Sequence, residues 1–244
     1  MQFVEILFGI ILMFAATRGK LPEDQVRLHQ VAFDQWEAVD AAPQTPVRGE
    51  AGREASALAL AAVSGHESGF WSKVQDCSAC FVGSQYCDRG MSISLFQLRT
   101  GSGAFGDYTR EQLCESNALA TERALVLLNR HRRAHTTLAL FKGYARGGRS
   151  GAAEEMDAMY ATALRKAGIV VTYGTTVDAE GKEHRGLKAA WLPGRKPVPG
   201  EPEAAMPTLP RLDIRLPDPL RIGAWNSEAG RPTYQLRFLA HPGT

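Results

Sequence analysis

Between Ala55 and Leu98 the sequence reads ASALALAAVSGHESGFWSKVQDCSACFVGSQYCDRGMSISLFQL. Ala55, Leu58, Ala61 and Ala62 recur at helical spacing, so the stretch opens on an apolar helix. That helix runs into an acid, Glu67, set between His66 and Ser68-Gly69-Phe70. Gly65 is expected to interrupt the helix near its end, which puts Glu67 at or just beyond a helix C-terminus. The negative partial charge of a helix end disfavours a carboxylate and helps to keep the acid protonated. His66, next to it, points elsewhere on either a helix or an extended chain and reads as structural. An apolar rod ending in a carboxyl constrains the rest of the chain, which must support both.

Residues 72 to 93 are rich in Cys, Gly and Ser and read as loop. The four cysteines, Cys77, Cys80, Cys87 and Cys114, are even in number and clustered, which favours two disulfides with three connectivities open. The alternatives are free thiols or a zinc site, the latter because Cys77-x-x-Cys80 has ligand spacing, but no second C-x-x-C accompanies it. Disulfides require an oxidising compartment. With 244 residues, 44% of them hydrophobic and 22% charged, the chain can build one large domain, or a domain with an appendage. A net charge of +2 excludes a charge-driven disordered chain and says little about partners. Local charge says more. Residues 118 to 150 carry seven Lys/Arg against one acid, Glu122, and include Arg130-His131-Arg132-Arg133. Such a run is either a solvated helix face or a groove that attracts an anionic polymer.

Phe3 to Ala16 is almost continuously apolar, broken by Glu5 and Gly9. Its core from Ile6 is too short to span a bilayer, which takes about 20 residues, and has the length of a signal-peptide core. No Lys or Arg precedes it, and Glu5 is wrong for a signal. Residues 1–20 are therefore expected to be a signal or anchor-like segment, with a buried or partner-docking helix as the alternative. Leu28, Ala32, Trp36 and Val39 give a helix opened by Pro22, and Pro43, Pro46 and Gly49 mark a linker, so 21–53 reads as helix and linker. Thr109-Arg110-Glu111-Gln112 is a capping box. Helices are expected over Leu119–Arg133 and Leu138–Tyr144, and from Ser150 or Gly151 to near Gly168.

Beyond 168 the character changes. Ile169–Val177 is β-rich and Asp178-Ala179-Glu180-Gly181 suits a hairpin turn. Ten of the 13 prolines fall between Pro193 and Pro242. Leu212, Ile214 and Leu216 alternate with charged residues, and Tyr234, Leu236 and Phe238 with polar ones, as two short strands would. The region 169–244 is thus expected to be a Pro-rich extension of β and irregular structure that wraps another surface.

Three blocks occur in order along the helical part: Glu67-Ser68-Gly69-Phe70, Met91-Ser92-Ile93-Ser94-Leu95-Phe96-Gln97 and Leu140-Phe141-Lys142-Gly143-Tyr144-Ala145. They are similar to E-S-G-F, G-A-x-G-L-M-Q and A-L-x-A-Y-N. On these blocks, residues 54 to 165 resemble the soluble lytic transglycosylase and goose-type lysozyme group of the lysozyme-like superfamily, which acts on peptidoglycan. Asn129 and the Leu125–Leu128 helix fall where that group has its bundle helix, and Tyr160–Leu164 resembles its closing helix. Ser94 and Met91 stand where the group has glycines, and Ala145 where it has an asparagine that could contact sugar. The resemblance implies a mainly α protein: a lysozyme-like helical domain over 54–168 with a cysteine-bearing loop, followed by the Pro-rich C-terminal extension with its few short β-strands.

Glycosidic cleavage needs a proton delivered to the leaving oxygen while oxocarbenium character builds at the sugar carbon. A carboxyl does this near neutral pH only if its surroundings raise its pKa. Glu67, beside Phe70 and Trp71, is placed for that and is the catalytic candidate. In the resembled transglycosylases one Glu serves as acid and then as base on the sugar's own 6-hydroxyl, and no second carboxylate is needed. A hydrolase usually needs one, for which Asp76, Asp88 and Asp107 are available. Gln97 is expected to bond an N-acetyl sugar, or else backbone. Tyr144 is expected as a cleft wall or a partner of Glu67, or else as a core aromatic. Ser68 is a further substrate contact, or else a helix cap. His131 and His135 lack a third ligand, and no metal or cofactor is expected. There is no phosphate-binding Gly loop, Ser-His-Asp arrangement or nucleic-acid motif.

The function implied is cleavage of the MurNAc–GlcNAc β-1,4 bond by a lytic transglycosylase, with peptidoglycan glycan strands as partner. The alternatives are a muramidase-type hydrolase, or a structural or assembly protein docking into an envelope machine or phage particle through its N-terminal and Pro-rich C-terminal segments. The expected location is extracytoplasmic, in the periplasm or cell envelope and membrane-associated or not, or else a phage virion.

Overall fold

The computed structural model of the chain describes residues 2–15, 21–145, 151–178 and 181–197. The expected strands around Leu212–Leu216 and Tyr234–Phe238, and the Ala179-Glu180 tip of the hairpin, lie outside the described residues. The protein is mainly helical, with two small antiparallel sheets.

Helix α3 (Gly52–Ser68) is the axis of the fold. Every residue from Ala55 to Ser64 is buried, as expected of a helix that is apolar all round. Helices α1 (Gln2–Ala15), α2 (Pro22–Ala41) and α9 (Ala152–Ala167) pack around it. Its hydroxyls are satisfied inside the core: Ser56 Oγ donates to Gly52 O at 2.7 Å and Ser64 Oγ to Leu60 O at 2.9 Å. Gln35 Nε2 in turn donates to Ser64 Oγ at 3.0 Å. Gly65 does not interrupt the helix, which continues to Ser68 and stops at Gly69. Its missing side chain makes room instead, since a Cβ there would lie 2.5 Å from Met159 Cε of α9.

The apolar N-terminal run is a packed helix. Phe3, Val4, Leu7, Ile10, Ile11 and Ala15 of α1 are buried, and the Phe3 ring lies 5.1 Å from Trp36 and 6.4 Å from Trp191. Among the described residues no helix is long and apolar enough to cross a membrane. In α2, Pro22 occupies the first turn, and Leu28, Ala32 and Val39 are buried as their spacing predicts.

A second group of elements follows α3. Two short turns, α4 (Ser72–Gln75) and α5 (Cys87–Gly90), interrupt an otherwise looped stretch, and strands β1 (Ser92–Ile93) and β2 (Leu98–Arg99) form a small hairpin. Helix α6 (Arg110–Glu115) opens on the expected capping box, with both Thr109–Gln112 bonds present. Helices α7 (Asn117–Asn129) and α8 (Thr137–Tyr144) then lead to α9, where the Tyr160 ring meets Phe141 edge-on at 5.5 Å.

Strands β3 (Ile169–Val177) and β4 (Glu183–Trp191) pair from Ile169↔Trp191 to Val177↔Glu183. The hairpin belongs to the same compact unit as the helices. The loop between α2 and α3 is no free linker. Arg48 N donates to Leu187 O at 2.9 Å and Ala189 N to Arg48 O at 2.7 Å, so the loop is bonded to the edge of β4.

Candidate active site

Glu67 lies on the last turn of α3, part-buried, above the core-facing Phe70. Among the described residues its carboxyl has no hydrogen bond or ion pair. Burial pushes that carboxyl up to about 7, and the negative charge of Asp88 adds to the effect. The cause is therefore chiefly desolvation. A carboxyl in that state is half protonated near neutral pH and can donate a proton or accept one.

Tyr144 ends α8, and its Oη donates to Phe96 O at 2.8 Å. Burial of the phenol raises its pKa well above the usual value, and the charge of Glu67 raises it further. It is thus a fixed neutral donor next to Glu67. The structure brings together the first residue block, the end of the second and the third: Glu67, Phe96 and Tyr144.

Asp88 is presented by an unusual turn. Cys87, Asp88 and Arg89 all have positive φ, at 55°, 50° and 61°, a conformation that costs non-glycine residues of order 1 kcal/mol or more each. The surroundings hold the turn in place. Cys80 is bonded to Cys87 and Cys77 to Cys114, so all four cysteines are paired and no thiol remains for the zinc alternative. Arg110 donates to Gly90 O at 3.0 Å and also to Cys80 O. Gly90, at φ 84°, lies so close to Phe81 that a Cβ would sit 2.4 Å from its carbonyl oxygen. Ser92 Oγ donates to Asp88 Oδ2 at 2.8 Å and orients the carboxylate. Of the three aspartates available in sequence, Asp88 is the one that acts on Glu67.

Gln97 and Tyr144 line one cavity of about 430 Å³, together with Leu98, Arg99, Arg130 and His131. The Gln97 amide nitrogen donates to Ser94 O at 3.1 Å and approaches Cys87 Sγ at 3.7 Å, so it braces the β1–β2 turn. Ser68 Oγ donates to Ser64 O at 2.7 Å and accepts from Phe70 N at 3.2 Å, closing the end of α3. His66 Nδ1 lies 3.2 Å from Glu155 Oε2, away from the Glu67 cluster. Trp71 stands edge-on to Tyr86 at 4.8 Å, and both, with exposed Phe81, line a shallow groove on the cysteine-bearing loop.

Sequence reasoning did not single out Arg27. From α2, it donates to Phe70 O at 2.8 Å and to Gln75 Oε1 at 2.6 Å, fixing the chain as it leaves Glu67. No local pattern marks it, because its partners are distant in sequence. Asp88 had a weak signal, its place beside a cysteine in a Gly-rich loop. No family model, curated protein or solved structure matches the chain.

Proposed function

We propose that the protein cleaves the MurNAc–GlcNAc β-1,4 bond of peptidoglycan glycan strands as a lytic transglycosylase, on a lysozyme-like helical domain. The observation that carries this reading is the setting of Glu67: a carboxyl at a helix end with no hydrogen bond or ion pair among the described residues, pushed up to about 7 chiefly by burial, beside the neutral hydroxyl of Tyr144. In this mechanism protonated Glu67 gives its proton to the glycosidic oxygen as the C1–O bond breaks. The resulting carboxylate takes the proton from the sugar's 6-hydroxyl as that oxygen bonds to C1. The product carries a 1,6-anhydro ring, no water is consumed, and Glu67 ends protonated as it began. Tyr144, on the cavity it shares with Gln97, holds the sugar in this reading. Ser94 supports the resemblance from the backbone: its φ of 63° is one that glycine adopts most easily, and the resembled block has glycine there.

Asp88 favours a second reading, a muramidase-type hydrolase in which it activates water. Two paired disulfides point to an oxidising extracytoplasmic setting, and the periplasm, cell envelope or a phage virion would each provide the substrate. A zymogram on a peptidoglycan gel tests the activity: a clear band is expected, and no band from folded protein would favour an assembly role. Product masses distinguish the two chemistries, because the anhydro product is lighter by one water.

A further inference from the structure

Three segments distant in sequence come together, a strand of the β3–β4 hairpin among them. The first is the 42–51 loop, whose Arg48 is bonded through its backbone to β4. The second is the turn after α7, where Asn129 Nδ2 donates to Gln44 O at 2.8 Å and so ties that turn to the loop. The third is β4 itself. At Gly186 the Arg132 carbonyl comes so close that a Cβ would lie 2.5 Å from its oxygen, so only glycine admits the turn. Between these segments lies a cavity of about 540 Å³ walled by Arg48, Arg132, Arg133, Lys182 and Arg185, with Glu183 as the carboxylate in its wall.

This is a fixed arrangement of like charges. Arg48 is half-buried, and its pKa is lowered by desolvation and by the neighbouring Arg132 charge, with Asp178 acting the other way. Asp178 is already engaged, with His184 Nε2 at 2.6 Å and Lys182 N at 2.7 Å from its oxygens. Among the described residues no ion pair neutralises Arg48, Arg132, Arg133 or Arg185. Holding guanidinium groups together without counter-charge opposes folding unless an anion joins them, and planar guanidinium forks match the oxygens of phosphoryl groups. One carboxylate would leave most of this charge uncompensated, whereas a phosphate monoester or diphosphate would balance it.

We propose that this pocket is a binding site for a multiply charged phosphoryl group, separate from the Glu67 cluster. It does not rest on the glycan-cleaving reading, since none of the Glu67-cluster residues lines it. The Arg130–Arg133 run is thereby split: Arg132 and Arg133 face this pocket, while Arg130 lines the cavity of Gln97 and Tyr144.

The test is calorimetric titration of the full chain with inorganic pyrophosphate, and separately with acetate, at matched ionic strength. One pyrophosphate per chain is expected to bind, with acetate at least tenfold weaker. The double variant Arg48→Gln/Arg132→Gln, checked for a native melting transition, should lose at least tenfold in pyrophosphate affinity, and Lys73→Gln, on the cysteine-bearing loop, should lose none. Wild-type protein that binds pyrophosphate no better than acetate would overturn the proposal. So would a folded double variant that binds it as tightly as wild type. Vesicles of phosphatidylcholine containing phosphatidic acid identify the source. Competition between vesicles and pyrophosphate would assign a lipid headgroup, and binding of soluble pyrophosphate alone would assign a free phosphoryl ligand.

Discussion

The charge of Asp88 bears on the carboxyl of Glu67, although one sits in an exposed turn and the other at the end of the most deeply buried helix. The Cys80–Cys87 bond and the Arg110 clamp on Gly90 bring that turn to the helix end and keep it there. The acid's surroundings are therefore built by two disulfide-pinned segments and by α8, and each of these can be tested separately.

Glu67 makes stability depend on pH. Its folded pKa of about 7 lies above the ordinary 4.5, so the folded state holds this proton more tightly than the unfolded chain. The associated stability is fully present below about 4.5 and lost as pH rises through about 7, amounting to about 3 kcal/mol. Glu67→Gln removes this dependence. Urea unfolding should show the variant more stable than wild type at pH 8 by up to about 3 kcal/mol, with a gap that narrows towards pH 4. A gap independent of pH would contradict the desolvated acid.

Asp88→Asn should lower the Glu67 pKa without returning it to the ordinary value. Burial is the larger cause and Asp88 the smaller, so more than half of the upward shift should survive. Side-chain NMR titration of Glu67 in the two proteins measures this directly. Activity, if it needs the protonated acid, should fall with rising pH earlier in the variant than in wild type.

Tyr144→Phe removes the donor to Phe96 O. Leaving the carbonyl of the buried Phe96 without its partner should cost about 1–2 kcal/mol, read as a lower denaturation midpoint with an unchanged slope. If Tyr144 also holds the sugar beside Glu67, turnover should fall further than this loss of stability explains.

The disulfides should differ in weight. Cys77–Cys114 spans a sequence separation of 37 and Cys80–Cys87 one of 7. Loop-closure entropy gives about 4 kcal/mol for the longer and about 2.5 kcal/mol for the shorter. Replacing the longer pair by serine should therefore lower the melting temperature more. Replacing the shorter pair should act more strongly on the Glu67 pKa, because that bond holds the Asp88 turn.

Much of the helical framework could be read from local pattern. The Ala55–Ala62 spacing, the Thr109 capping box, Pro22 at the start of α2 and Gly168 at the end of α9 each act within one turn of chain, so their signals are intact in sequence. What stayed hidden depends on partners far apart. Gly65 reads as a helix breaker but is a packing notch against Met159. The Pro- and Gly-bearing 42–51 loop reads as a linker, yet its backbone extends the hairpin. Strand β4, with Gly186 and several charges, lacks a clean alternating pattern, and its register comes from β3. The cluster was partly legible. Glu67 and Tyr144 stood out by their blocks, whereas the effect of Asp88 depends on cysteine pairing, which composition leaves open.

The central claim is that Glu67 is the proton donor for glycan cleavage. The most direct measurement is the rate at which purified peptidoglycan sacculi release 1,6-anhydro muropeptides, followed by mass spectrometry, for wild type and for Glu67→Gln at equal folded concentration. Wild type should release them, and the variant should be slower by roughly 100-fold or more. Release at the wild-type rate by the folded variant, or no release by the folded wild type, would contradict the claim.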